Sequence, residues 1–237
     1  MSEAARRPVA MITAASQGIG LAVAAELASR GYAVSLLARS EAVHAAAEKL
    51  GGLGTVGSVT EAADLARFHQ ATVARFGGID AVVNNTGHPP KGDLLGIGDD
   101  DWRQGTDLIL MNVIRLARLV VPEMQRRKRG AFINISAYGA VTPDLAYPVS
   151  STLRAGLGAF TKLFAARYAP DNIRMNAVLP GFVDSYPVDA ARVAAIPLGR
   201  YGRVGELAHT VAYLLSDDAS YVTGQSLLVD GGMARGM

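Results

Sequence analysis

The sequence predicts an α/β fold, one domain built on a doubly wound parallel sheet. Three observations predict it. Short β-prone apolar runs alternate along the chain with longer stretches of helical periodicity, the pattern of repeated βαβ units. The turn between the first strand and the first helix is rich in glycine and small residues. Finally, 237 residues, 50% of them hydrophobic and 19% charged, suffice for one large core and are too apolar for a disordered chain.

Pro8 opens the first unit. Residues 9–12 are β-prone and read as a buried strand. From Gly18 onward, Ile19, Val23 and Leu27 recur at helical spacing, and Gly31 closes the helix. The turn between them runs Thr13-Ala14-Ala15-Ser16-Gln17-Gly18-Ile19-Gly20. Gly18 lets the backbone approach a ligand, and Gly20 lets the helix pack closely on the strand. The free N–H groups of the first helical turn then face an anion, for which a pyrophosphate is the natural guest. Thr13, Ser16, Gln17, Gly18, Ile19 and Gly20 are therefore candidate cofactor contacts. An alanine at position 14 is expected to keep a negative φ.

The second strand covers residues 33–38, joined through one helix, so the unit is parallel with a right-handed crossover. Residues just past such a strand meet the adenosine ribose of a bound dinucleotide. An acidic residue there would accept from a 2′-hydroxyl, but Arg39-Ser40 follow instead. A guanidinium suits a 2′-phosphate, which favours NADP(H) over NAD(H).

The alternation continues with helix 41–50, strand 55–59, helix 61–76 and strand 80–83. A long helical region, 99–129, leads to strand 131–135, helix 150–168 and strand 173–178. Helix 204–216 and strand 226–229 complete the chain. Ligands of such sheets bind beyond the carboxyl ends of the strands. Asn85 and Gly87, Ser136, and Pro180-Gly181 stand there.

Composition narrows the function. A formal net charge of +2 is too small to argue for nucleic acid. The basic run Arg126-Arg127-Lys128-Arg129 ends a helix, where cations complement the dipole. With no cysteine there is no disulfide and no thiolate chemistry, which fits the cytoplasm. No apolar run approaches the ~18 residues of a membrane span, and the N-terminal stretch lacks the features of a signal peptide. The partner is expected to be a small molecule.

Several motifs in fixed order resemble the short-chain dehydrogenase/reductase family along nearly the whole chain. They are TAASQGIG at 13–20, NNTG at 84–87, Asn112, INIS at 133–136, NAVLPGFVDS at 176–185 and YVTGQSLLVDGG at 221–232. The resemblance implies a three-layer Rossmann fold with strand order 3-2-1-4-5-6-7, a nicotinamide cofactor, and a homotetramer or dimer. It implies that Gly18, Ile19 and Gly20 line the pyrophosphate. Asn85 and Gly87 would then lie near the adenosine side and the central strands, while Pro180, Gly181, Val183 and Ser185 hold the nicotinamide. Ser136 matches the hydroxyl that polarises the substrate.

The family's Tyr-x-x-x-Lys pair is altered. Aligning RAGLGAFTK places Arg154 at the lysine and Ser150 at the tyrosine. The nearest phenol of this segment is Tyr147, eleven residues after Ser136 and seven before Arg154, a spacing similar to that of enoyl carrier-protein reductases. Dienoyl-CoA reductases similarly place a serine at the tyrosine position. Seven residues is close to two helical turns, so Tyr147 and Arg154 are expected on one helix face, roughly 10 Å apart. Pro148 suits the first helical position and leaves Tyr147 as the N-cap. The catalytic candidates are thus Ser136, Tyr147, Arg154 and Asn112. Arg154 can hold a ribose but cannot release a proton near neutral pH. Asn112 is expected to make a specific hydrogen bond. Tyr138 is a rival proton donor, His88 a loop residue near the substrate, and Trp102 packing. Residues 185–200 would form a lid whose apolar lining suits a neutral substrate. Ser58 replaces the family's adenine-gripping Asp.

These readings predict an NADP(H)-dependent oxidoreductase acting on a ketone or conjugated enone. Two alternatives stay open: an NADP(H)-binding homologue with little turnover, and a cofactor-independent relative of the halohydrin dehalogenases. The latter lack the glycine loop that Gly18 and Gly20 keep here.

Overall fold

The computed structural model describes residues 6–185 and 187–235. The apolar runs become strands β1 (Val9–Thr13), β2 (Ala33–Ala38), β3 (Leu53–Val56), β4 (Ala81–Asn84), β5 (Gly130–Ile135), β6 (Ile173–Pro180) and β7 (Ser226–Val229). They pair in parallel as one sheet, in the order β3-β2-β1-β4-β5-β6-β7. Every residue of β1, β2, β4 and β5 is buried, as expected of strands covered by helices on both faces.

Strand periodicity divides the core into two layers. Ala10, Ile12, Val34, Leu36, Ile133 and Ile135 face helices α1 (Gly18–Ser29), α2 (Ala42–Lys49) and α8 (Val204–Leu215). Met11, Leu37, Val82, Phe132 and Met175 face the other side and pack on α3 (Ala62–Phe76), α5 (Asn112–Arg127) and α6 (Pro148–Tyr168). Residues 10 to 12 alternate between the layers, as period-two geometry requires.

The elements fall where the sequence places them, with three corrections. The third strand runs over Leu53–Val56 rather than 55–59, because pairing with β2 ends at Ala38 and Val56. Beyond it, the Ser58 amide leaves the ladder and donates to Asp64 at 2.8 Å. The long helical region is divided into α4 (Asp99–Thr106), a π-helical turn at Asp107–Met111, and α5. The sixth helix starts at Pro148, two residues before the span 150–168 but at the N1 position the sequence gives this proline, with Tyr147 as its N-cap. In the lid stretch 185–200, Tyr186 lies outside the described residues. The remainder includes the short helix α7 (Ala190–Ala194), capped by the Asp189 side chain accepting from the Ala191 amide at 2.9 Å.

Ion pairs fasten the end of the sheet opposite the candidate site. Asp80 accepts from Arg6 at 2.8 Å, from Arg127 at 2.9 Å and from the Val9 amide at 2.7 Å. Arg174 donates to the carbonyls of Leu214 and Val222, closing the end of α8. Among the described residues, no helix is long and apolar enough to cross a membrane.

Phe132 is 0% exposed at the centre of the second layer, 5.1 Å ring to ring from Phe164. Phe132→Ala is expected to lower the unfolding free energy by about 3–5 kcal/mol, read as a lower urea midpoint at unchanged slope. A loss of less than about 1 kcal/mol would show that this layer is not the stabilising core.

Candidate functional site

The carboxyl ends of β1, β4, β5 and β6 meet along one edge. The turn after β1 is held from both sides. Thr13 Oγ1 donates to the Asn85 carbonyl at 2.6 Å and accepts from the Asn85 amide at 2.9 Å. The Asn85 carboxamide donates to the Ala14 carbonyl at 3.1 Å, and the Ala15 amide reaches the Leu37 carbonyl at 3.1 Å. These bonds turn Ala14 to φ +48°, which corrects the expected negative φ. A left-handed alanine costs roughly 1 kcal/mol, and the surrounding bonds hold it there. Asn85 is thus part of the turn's clamp, beside the central strands as expected.

Gly20 packs as the sequence predicts. A Cβ on Gly20 would stand 2.4 Å from the Ala14 carbonyl oxygen and 2.8 Å from the Asn85 side-chain nitrogen, so only glycine fits. Gly18 has φ +56° and lies across from Ser185, 3.6 Å from its Cβ. Gln17 caps α1 with extended backbone but no side-chain bond, and no acidic residue occupies the first turn. Among the described residues, no protein group accepts from the leading amides at Gly18, Ile19 and Gly20.

Arg39 and Ser40 follow β2 in exposed positions, and neither side chain is tied to another group among the described residues. The Ser58 hydroxyl pairs with Thr60 at 2.8 Å instead of offering a charge. Its amide donates to Asp64, and that bond holds the Asp64 carboxyl below the usual carboxylate range, with help from Arg67. On the far side, Gly181 packs so closely on Asp230 that a Cβ would lie 2.9 Å away. Val183 is buried and bridges to Gly202, and Pro180 ends β6. Around Gly87 there is open space.

Ser136 follows β5, its amide donating to Val178 at 2.8 Å while its Oγ is buried without a partner. Thr86 Oγ1, after β4, and Asn112 Oδ1, at the head of α5, share that condition. His69 Nε2 and Arg127 Nε, elsewhere in the fold, are also buried and unpartnered; orphaned buried polar atoms are rare, and the Ser136 and Thr86 hydroxyls stand just past the carboxyl ends of β5 and β4. Asn112 also makes the specific bond expected of it, donating from its amide nitrogen to the Leu108 carbonyl within the π-helical turn.

Tyr147 and Arg154 each bond to other groups. Tyr147 takes φ −139° and ψ 55° as the N-cap of α6. Lys91 Nζ sits 4.7 Å from the ring centroid, and Arg192 on α7 donates to the phenol oxygen at 3.5 Å. Arg154 instead is only 5% exposed, donating from Nε to Ser150 Oγ at 3.1 Å and from one terminal nitrogen to the Ile135 carbonyl at 2.9 Å. Burial lowers its pKa to about 10, and no carboxylate pairs with it among the described residues. Burial, then the Arg154 and Lys91 cations, also hold His88 below its ordinary range.

The rival phenol is engaged elsewhere. Tyr138 donates to Asp144 at 2.6 Å, and burial together with that carboxylate pushes its pKa far up. Its ring joins Phe182 and Tyr201 in an aromatic wall, with the Arg192 guanidinium 4.9 Å above Phe182. The stretch 185–200 therefore brings the Arg192 cation against Phe182 and Tyr147, which its apolar composition did not suggest. Sequence reasoning also gave no role to Ser150 or Lys91. Alignment at the tyrosine position was the available signal for Ser150; Lys91 had none.

A family model described as "Enoyl-(Acyl carrier protein) reductase" matches residues 13–234. Two 3-oxoacyl-[acyl-carrier-protein] reductases are similar along their whole length. The Escherichia coli enzyme is 34% identical over 235 residues, 95% of this chain and 96% of the relative. That of Staphylococcus aureus is 35% identical over 240 residues, 94% and 97%. Among solved structures, the L-sorbose reductase of Gluconobacter frateurii, complexed with NADPH and L-sorbose, superposes with TM-score 0.93 at 30% identity, covering 98% of both chains. The actinorhodin polyketide ketoreductase with NADPH gives 0.91 at 29%, covering 97% of this chain and 98% of that one.

A buried cation without a counter-charge destabilises the fold it sits in. Arg154→Met is therefore expected to melt at or above the wild-type temperature. A fall of more than about 5 °C would show that its two hydrogen bonds outweigh its desolvation.

Proposed function

The chain belongs to the short-chain dehydrogenase/reductase family, and from that premise we propose that it is an NADPH-dependent reductase of a ketone carbonyl on a small substrate. The observation that carries this reading is the clamped turn at 13–20, whose open amides lead to a strand edge where the Ser136 hydroxyl is buried and unpartnered. When bound, the nicotinamide supplies a hydride to the carbonyl carbon. Similarity to two ketoreductases solved with NADPH, and to reductases named for 3-oxoacyl groups, supports a carbonyl over a conjugated C=C.

On this reading the amides of Gly18, Ile19 and Gly20 bind the pyrophosphate, flanked by Thr13, Ser16 and Gln17. Arg39 and Ser40 bind the 2′-phosphate, and their freedom from protein partners supports that role. Pro180, Gly181, Val183 and Ser185 hold the nicotinamide, and Asn85 with Gly87 shapes the floor beneath. Ser136 polarises the substrate oxygen. Tyr147 gives that oxygen its proton, so hydride and proton together yield the alcohol. Arg192, at 3.5 Å, balances the negative charge that the phenol oxygen takes on as its proton leaves. Arg154 uses its remaining N–H groups on the ribose, and Asn112 Oδ1 accepts from the bound ligand or its water.

One observation favours a second reading, an NADP(H)-binding homologue with little turnover. Among the described residues no hydrogen bond joins Tyr147 to Arg154, which supports this reading. Incubation with NADPH and a panel containing ethyl acetoacetate, L-sorbose and ethyl crotonate separates the readings. Oxidation at 340 nm with a ketone supports the reductase; binding without oxidation supports the alternative. A homodimer or homotetramer is supported by an apolar groove of about 520 Å³ between α5 and α6, lined by Val121, Phe160 and the 70% exposed Leu163.

Two outcomes test the assignments. Arg39→Ala is expected to weaken NADPH at least about tenfold while leaving NADH unchanged, by titration of cofactor fluorescence. Equal weakening of both would remove Arg39 from the phosphate. Tyr147→Phe is expected to lower kcat by about 10²–10⁴; an unaltered kcat would place the proton donor elsewhere.

A further inference from the structure

Ser150 stands one helical turn before Arg154 on α6 and accepts a hydrogen bond from its Nε at 3.1 Å. A hydroxyl has a single proton to give. With Ser150 Oγ occupied as an acceptor, the O–H remains to donate, and no protein acceptor takes it among the described residues. The same guanidinium donates to the carbonyl of Ile135, the residue before Ser136. One cation thus ties Ser150 to the end of β5, where the Ser136 Oγ is buried and unpartnered. The adjacent serine differs: Ser151 Oγ accepts from the Asp144 amide at 3.1 Å and so braces the loop between β5 and α6.

We propose that Ser150 is a catalytic residue whose O–H donates, beside Ser136, to the carbonyl oxygen of the substrate, with Arg154 as the positioning residue that orients and polarises it. This rests on the ketone-reductase reading. As hydride reaches the carbonyl carbon, negative charge grows on the oxygen, and a donor whose own oxygen is bonded to a buried guanidinium stabilises that charge strongly. Serine remains protonated throughout, since the proton that completes the alcohol comes from Tyr147. The hydroxyl substitutes for the donor that the family places at this position, while the guanidinium supplies the charge from behind it instead of from beside a phenol.

The test compares wild type with Ser150→Ala, Ser150→Thr and Ser151→Ala, using NADPH and ethyl acetoacetate, with cofactor affinity by fluorescence titration and melting temperature measured on each. Ser150→Ala is expected to lose about 10²–10³ in kcat, the usual cost of one oxyanion donor, with NADPH affinity and melting temperature close to wild type. Ser150→Thr, which keeps a hydroxyl, is expected to recover most of the rate. Ser151→Ala is expected to lower the melting temperature with kcat within about threefold. A Ser150→Ala enzyme that keeps its kcat, or that loses NADPH binding in step with its rate, overturns the inference and leaves the reductase reading intact. If wild type binds NADPH yet reduces no ketone, both fall together.

Discussion

The clamp between Thr13, Ala14 and Asn85 is the constraint on which the ligand edge depends. It joins the ends of β1 and β4 by hydrogen bonds in both directions and turns Ala14 into left-handed backbone. Only with that turn fixed can α1 begin so close to the strand that a side chain at position 20 has no room. The open amides of the first helical turn are the consequence. Their donors lack a protein partner because the chain supplies neither a capping side chain nor a first-turn carboxylate there.

The two ends of the sheet are treated differently. At the amino end, Asp80 accepts from two guanidinium groups and a strand amide, and Arg174 closes the end of α8. At the carboxyl end, the Ser136, Thr86 and Asn112 oxygens are buried and unpaired, and Arg154 is buried without a carboxylate. Each of these is a local cost to folding. His69 Nε2 and Arg127 Nε carry the same cost elsewhere in the fold, so what sets the carboxyl edge apart is the buried, carboxylate-free Arg154 beside the unpaired Ser136 hydroxyl.

Much of this was legible in the sequence. Alternating apolar runs marked the strands, and Gly18 and Gly20 marked the turn, because strand burial and steric room act locally. Pro148 and Tyr147 fell into the N1 and N-cap positions for the same reason. What stayed hidden came from tertiary contacts. Ala14 takes positive φ because Asn85, some seventy positions away, pulls on its carbonyl. The π-helical turn before Asn112 has no periodicity signal. Helical spacing could not name the partners of Arg154, Ser150 and the Ile135 carbonyl, or that of Tyr147, Arg192. The third strand ends early because its neighbour ends, a matter of pairing rather than of propensity.

The central claim is that this edge holds a nicotinamide dinucleotide with its reactive ring facing the Ser136 hydroxyl. Following isotope from cofactor to product tests it most directly. NADPH deuterated at the transferable C4 position would be incubated with ethyl acetoacetate and the product examined by mass spectrometry. The account predicts one deuterium on the carbinol carbon for every NADPH consumed. Alcohol that carries no deuterium, or NADPH left untouched after binding, would contradict it.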